Sequence, residues 1–345
     1  DYSTGAEAFL LEPERRNLIR YSSDFSQWQL VNIATEVSNT LSPNGTSFMT
    51  KATFSNSGIS SYVRQNLTMN VGSITASIFV KKGLTDSYAQ IRIGGIDNEI
   101  TVWFDLDNGI VSSSIGSPTS TSIIDYGNGI YRISATTTST TDLTLRAIIQ
   151  SANSDGGVPT ENATQFYWGG QVEQGSYATS YIPTTTTTVT RNQELCVDAT
   201  PVINSEEGVL YVEISAFANL IPSERWITLN DGTASNVVYI YFSAVENQIV
   251  LGVITNGVTQ ASRQQVISDV SSFNKIAISY RKDLFKMFVN GTKIYEDTSG
   301  NAPIGLNNLD FDADFNNKTF FGNTKGLKYY PKALADVELQ DLTTI

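Results

Sequence analysis

The sequence predicts an all-β protein made of two β-sandwich (jelly-roll) domains in tandem, and three observations carry that expectation. The chain is rich in Thr, Ser, Val, Ile and Tyr, set in short alternating runs between Gly, Asn and Asp. That is the composition of half-buried strands joined by turns. Helical periodicity is confined to one short run near the end, Lys332-Ala-Leu-Ala-Asp-Val-Glu-Leu-Gln-Asp-Leu342. Finally, an aromatic, strand-like run from Phe166 leads to Pro183 and then to the uninterrupted threonines Thr184 to Thr188. Proline cannot donate to a ladder and a threonine run has nothing with which to build a core, so one domain closes there and another begins beyond it. A chain of 345 residues, 40% hydrophobic, is long enough for about two cores.

Residues 1–17 read as a lead-in, 18–183 as the first domain, 184–204 as a Thr-rich linker carrying Arg191 and Cys196, and 205–345 as the second domain. In Ser87-Tyr-Ala-Gln-Ile-Arg-Ile93 the period-2 rule puts Ala89, Ile91 and Ile93 on one face and Tyr88, Gln90 and Arg92 on the other. In Thr101-Val-Trp-Phe-Asp-Leu106, Val102, Phe104 and Leu106 oppose Trp103 and Asp105, and Asp107-Asn-Gly109 supplies the positive-φ residues of a tight hairpin. In Leu143-Thr-Leu-Arg-Ala-Ile-Ile149 the leucines and Ala147 point inward, with Arg146 and Gln150 opposite. The second domain reads as further strands around 208–214, 237–242, 248–253 and 275–280, with a hairpin turning at Asn290-Gly291.

Composition excludes several functions. A formal net charge of -12 opposes nucleic-acid binding and attraction to an anionic membrane, both of which need a basic surface. No run of 18 apolar residues exists, so no transmembrane helix is expected. One cysteine and no histidine leave no intrachain disulfide, no structural zinc site of the usual kind and no histidine-based catalysis. The chain begins at Asp1 rather than Met and reads as the interior of a longer polypeptide. Paired carboxylates in a strand pattern such as Glu-x-Asp-x-x-Glu are missing and the acidic residues fall mostly in turns, so an enzyme is not expected.

Sugar recognition needs an aromatic face for the ring and planar polar groups for the hydroxyls. Tyr88, Gln90, Arg92, Trp103, Arg146 and Gln150 offer that chemistry if their strands are neighbours, and Tyr239 and Tyr241 share a face of a second-domain strand. The bland alternatives are a solvated face, packing under a loop, or aromatics buried between sheets. Asp310-Phe-Asp-Ala-Asp-Phe315 lacks the glycine and closing glutamate of an EF-hand loop and reads as alternation, Phe311, Ala313 and Phe315 inward. Asp310, Asp312 and Asp314 are nonetheless the candidate calcium ligands.

Four phrases also carry a family likeness. Phe9-Leu-Leu-Glu-Pro-Glu-Arg-Arg-Asn-Leu-Ile19 with Ser22-Ser-Asp-Phe-Ser-Gln-Trp28 resembles the lead-in of bacteriophage virion proteins. Phe104-Asp-Leu-Asp-Asn-Gly109 with Gly127-Asn-Gly-Ile-Tyr-Arg-Ile-Ser134 is similar to paired strands of a carbohydrate-binding-module-like jelly roll, in which Trp usually stands at the position of Ile130. The stretch from Phe166 to Thr184, continued by Val189-Thr-Arg191, resembles the close of that domain. Phe285 to Tyr295 and Phe321 to Leu339 resemble a concanavalin A-like or laminin-G-like sandwich. The resemblance implies a non-enzymatic phage virion protein, a tail fibre or adhesin on the particle surface, that binds a host surface glycan or polysaccharide beside other virion proteins and as a homo-oligomer. It also implies a structural calcium, to which Glu12 and Glu173 would contribute. The alternatives are a glycan-binding module of a secreted, extracellular polysaccharide-degrading enzyme and a purely architectural virion protein.

Overall fold

Almost all of the regular structure is antiparallel sheet, and the computed structural model describes residues 8–57, 61–141, 144–196, 200–219, 223–313 and 318–345. The chain divides into two units, Glu14–Asn192 and Gln193–Ile345, the second of which also takes the described residues up to Pro13.

In the first unit, one six-stranded sheet runs in the order Ile110–Ile115, Ile100–Asp105, Tyr88–Gly94, Thr144–Ala152, Tyr62–Thr68, Gln29–Val31. Its partner runs Ser120–Asp125, Ile130–Ser139, Gly72–Lys82, Thr164–Gln174, Phe48–Phe54, Ile33–Leu41. The inward residues of both sheets form a single core in which Ile78, Val80, Ile91, Val102, Phe104, Ile133, Ile149 and Tyr167 meet. The alternation places Ala89, Ile91, Ile93, Val102, Phe104, Leu106, Leu145 and Ala147 in that core, as expected. Leu143 lies outside the described residues. The turn at 107–109 differs in detail from the expectation. Only Gly109 takes positive φ, and the bend is set instead by the Asp105 carboxylate, which accepts from the backbone N–H groups of Asp107 (2.9 Å) and Asn108 (3.1 Å).

The phrase around Pro183 closes this unit. Glu173 is fully buried and accepts from Thr179 N–H (3.2 Å), Thr179 Oγ1 (2.9 Å) and the Gln171 amide, with Arg15 Nε 3.5 Å away. Gln171 Oε1 in turn accepts from Ile182 N–H at 2.7 Å, and Asn17 Nδ2 donates to Ile182 O at 2.8 Å. Thr184 Oγ1 donates to Ile19 O at 2.8 Å, and Val189–Arg191 pairs with Arg15–Asn17. The threonine run is thus fastened at one end to Ile19, at the start of the first domain, and at the other to residues read as lead-in.

The second unit packs a six-stranded sheet, Phe9–Leu11, Gly322–Tyr330, Glu207–Ser215, Asn274–Arg281, Leu284–Val289, Thr292–Asp297, on a five-stranded one, Val258–Val266, Gln248–Thr255, Val237–Phe242, Arg225–Asn230, Asn308–Asp310. Leu210, Val212, Ile240, Leu251, Ile278 and Phe285 belong to the core between them, and Cys196 packs against it. Asn290 and Gly291 both take positive φ (48° and 76°), the conformation the predicted hairpin requires. The helix spans Asp336–Thr343, starting later than the periodic run because Ala335 is extended and its N–H is capped by the Glu338 side chain at 2.7 Å. It seats Leu339 on Val209, Tyr211, Ala277 and Phe288. Among the described residues no helix is long and apolar enough to cross a membrane.

Candidate functional site

The ladder registers of the first unit bring Tyr88, Gln90, Arg92, Trp103, Arg146 and Gln150 onto one face, the face turned away from the core. Trp103, Gln90 and Gln150 form one cross-strand row, since Gln90 stands opposite both of the others. One row further along, Arg92 stands opposite Thr101 and Ile148, and Ile148 stands opposite Arg64, which is itself paired with Gln29. Arg146, opposite Gly94 and Asn66, lies beyond Ile148. On the other side of the amide row, Tyr88 faces Asp105 and Ala152.

The middle row is sunk. Gln150 is 3% exposed, Trp103 4% and Gln90 5%. After Ala152 the chain turns back over this face, held by a Gly157 N–H to Ser154 O bond of 3.0 Å. The turn reaches Trp103, whose indole N–H donates to Gly157 O at 3.0 Å, and the neighbouring strand, where Asp155 Oδ1 accepts from Ser113 N–H at 3.1 Å and from its hydroxyl. Gln150 Nε2 is buried and has no hydrogen-bond partner. A primary amide buried with its N–H groups unused is costly, of the order of 1–3 kcal/mol, unless something else accepts from it.

Charge is polarised along the face. At one end Asp105 is buried, which pushes its carboxyl up, but hydrogen bonds from Asn108, Asp107 and Tyr88 outweigh this and hold it below the usual carboxylate range. The Tyr88 phenol is pushed up by desolvation and by the Asp105 charge. At the other end Glu99, partly desolvated, is held down by hydrogen bonds from Arg92 and Gly95 N–H and by the charge of Arg146. Arg64 donates to Gln29 Oε1 at 2.7 Å and lies over the Tyr62 ring. Arg64, Tyr62 and Ile148 were missed by the sequence reading, although Tyr62-Val-Arg-Gln-Asn-Leu-Thr68 alternates as cleanly as the strands that were read.

In the second unit Tyr239 and Tyr241 lie on the outer face of the five-stranded sheet, as their alternation required, and Trp226 from the adjacent strand joins them. Trp226 stacks on Tyr241 with centroids 4.3 Å apart and planes 10° apart, and leans on Tyr239 at 5.0 Å. Tyr239 is 7% exposed, its ring tip lying over Gly252 where a Cβ would come within 2.2 Å of the phenol oxygen. Trp226 is further held by its N–H to Glu224 Oε2 (3.1 Å) and by Lys318 over its ring. These rings pack on one another, and Trp226 and Tyr241 stay half-buried while Tyr239 is buried.

Asp310 Oδ2 accepts from Asn230 Nδ2 at 2.7 Å, and Asp312 Oδ2 from Thr319 Oγ1 at 3.1 Å. Phe311 and Ala313 are buried, as alternation predicted; Asp314 and Phe315 lie outside the described residues. Glu12, named with Glu173 for calcium, is buried, and its N–H donates to Glu194 Oε2 at 2.9 Å. Among the described residues no group of three or more His, Cys, Asp or Glu side chains comes together in a way that would hold a metal ion.

Fold and faces together define a protein of two β-sandwich units, the first of which carries a sunken aromatic–amide row flanked by arginines. No protein-family model matches the chain, and no curated protein matches it. Among solved structures it is similar to the CBM40 of the Ruminococcus gnavus IT-sialidase bound to α2,3-sialyllactose, at 17% identity over 41% of this chain and 84% of that chain, TM-score 0.34. It is similar also to the SAP-like pentraxin of Limulus polyphemus (9% identity, 39% and 69% of the two chains, TM-score 0.31) and to domains LG4-5 of the mouse laminin α1 chain (9% identity, 81% and 89%, TM-score 0.28). All three scores are below 0.5, and the fold assignment stands on the strand order and cores described above.

Proposed function

We propose that the chain is a non-catalytic glycan-binding protein and that the Trp103–Gln90–Gln150 row is where it holds a saccharide. The observation that carries this is Gln150 Nε2, buried without a partner beside a second amide and an indole. A sugar hydroxyl can accept from that amide, with the ring's C–H face against Trp103, once the turn at Ser154–Gly157 that covers the row is displaced, and no described residue of the first unit accepts from it in its place. The carboxylates of the face are engaged, Glu99 by Arg92 and Asp105 by Asn108, which favours binding over hydrolysis.

The setting we propose is the surface of a phage particle, as a tail fibre or adhesin attaching to host surface glycans beside other virion proteins. The order of the four sequence phrases supports it, and repetition of the chain would turn weak single contacts into useful avidity. A hydrolase domain encoded in the same polypeptide would replace this setting with that of a secreted polysaccharide-degrading enzyme.

Gln150→Met tests the site. It removes the unpartnered donor while keeping the length of the side chain, so thermal stability is expected to stay level or to rise by up to about 1 kcal/mol. Binding on a glycan array should fall at least about tenfold, the loss expected for one well-made hydrogen bond to a buried donor. An unchanged array profile, or a clear loss of stability, would mark Gln150 as a packing residue and remove the proposal.

A further inference from the structure

We infer that the ligand of this face is an anionic saccharide, one bearing a carboxylate or a sulfate, and that Arg64, Arg92 and Arg146 receive its charge. The inference rests on the glycan reading above and adds the chemical class of the ligand. Arg92 and Arg64 stand opposite Ile148 on its two sides, and Arg146 lies two residues before Ile148 on the same face of the same strand. Three arginines from three adjacent strands therefore flank one ladder position, the Arg64 guanidinium turned to Gln29 and that of Arg92 to Glu99. Ile148 points away from the core yet is only 6% exposed. Long arginine stems cover apolar surface of this kind while their heads stay in water.

Such a cluster is unusual for a chain of net charge -12. Like charges gathered on adjacent strands repel, and among the described residues one carboxylate, Glu99, answers three arginines, bonded to Arg92 and also within reach of the charge of Arg146. Arg64 is bonded to a neutral amide, the Gln29 side chain. Arg146 is exposed and holds no ion pair among the described residues. The repulsion left over is relieved by an anion, and a guanidinium fork matches a carboxylate or sulfate with two parallel hydrogen bonds. The arginine row adjoins the amide row, so a single sugar residue can place its ring at Trp103 and Gln150 and its acidic group at the arginines. The opposite end, with Asp105 and Asp155, would repel the same group and so fixes the ligand's direction.

The test uses the whole chain on a panel of glycans carrying a carboxylate, a sulfate or no charge, followed by titration of the best acidic ligand and of its methyl-esterified or desulfated form. Acidic glycans should dominate the hits, and loss of the charge should weaken binding about tenfold or more. Arg146→Gln, at an exposed position, should cause a similar loss without lowering the melting temperature, and added salt should weaken the wild type more than this variant. Carboxylate and sulfate hits distinguish the two sources of charge. Neutral glycans bound as well as acidic ones, with Gln150→Met still abolishing binding, would overturn the anionic inference and leave the glycan site standing. No hit of any kind would overturn the glycan site itself. A single-stranded oligonucleotide bound as tightly as the best glycan, and released by Arg146→Gln, would reduce the cluster to a general polyanion patch and overturn the saccharide assignment.

Discussion

Glu173→Ala is expected to destabilise the first unit by about 3–5 kcal/mol, the range for breaking a buried, hydrogen-bonded ion pair from one side. The carboxylate is the common acceptor for Thr179 N–H, Thr179 Oγ1 and the Gln171 amide, and all of these would be left buried without it. Arg15, packed over Tyr177, would lose its anionic neighbour. Loss of the anchor at Thr179 also loosens the path to Ile182 and Thr184, where the phrase is tied to Asn17 and Ile19. A thermal melt should show a drop of roughly 10 °C for a unit of this size. A loss below about 1 kcal/mol would mean that the closing segment holds by its aromatic contacts alone. Glu173→Gln carries a pH signature as well. Burial pushes the Glu173 carboxyl up, against the hydrogen bonds from Gln171 and Thr179. A carboxyl raised in the folded state binds more protons folded than unfolded, so its contribution to stability falls as pH rises from the unfolded value of about 4.5 through the folded one. The stability of wild type relative to Glu173→Gln should therefore decline over that window and level off above it. A difference that grows with pH would show that the ion pair with Arg15 dominates.

The second large effect is expected at Trp103. Trp103→Ala removes a side chain that the turn at Ser154–Gly157 covers, and about 3 kcal/mol of stability should go with it. Glycan binding should be lost together with the ring face. Trp103→Phe separates the two roles. It keeps an aromatic face but deletes the N–H that donates to Gly157 O, so it should cost about 1 kcal/mol and keep measurable binding. Urea midpoints and array signals for the two variants check this. Binding retained by Trp103→Ala would place the saccharide elsewhere.

Which side chains share a face was legible in the sequence wherever two-residue alternation ran unbroken. Tyr88, Gln90 and Arg92, or Tyr239 and Tyr241, needed no more than that. Which strands are neighbours was not legible, because pairing depends on contacts between distant segments. Gln90 meets Gln150, sixty positions further along the chain, and Arg64 meets Ile148 at a greater separation. The turn that covers Trp103 was invisible for a related reason. Ser154-Asp-Gly-Gly157 spells a turn, but nothing local says which surface it folds onto. The lead-in failed differently. Phe9–Leu11 pairs with Gly322–Tyr330 and Arg15–Asn17 with Val189–Arg191, so a segment that looks like a preamble contributes an edge to each unit.

That double pairing makes the chain nested rather than serial. Glu12 and Glu194 are joined by backbone and side-chain hydrogen bonds, Glu194 N–H to Glu12 O at 2.9 Å among them, so the second unit is closed across the point where the first departs and returns. The first unit is in effect an insertion into a loop of the second, with its own entry and exit zipped together at Arg15 and Arg191. Insertions of this kind can be exchanged as cassettes, because the host fold needs only two adjacent attachment points. A lineage could thus replace the inserted unit and leave the sandwich that hosts it untouched.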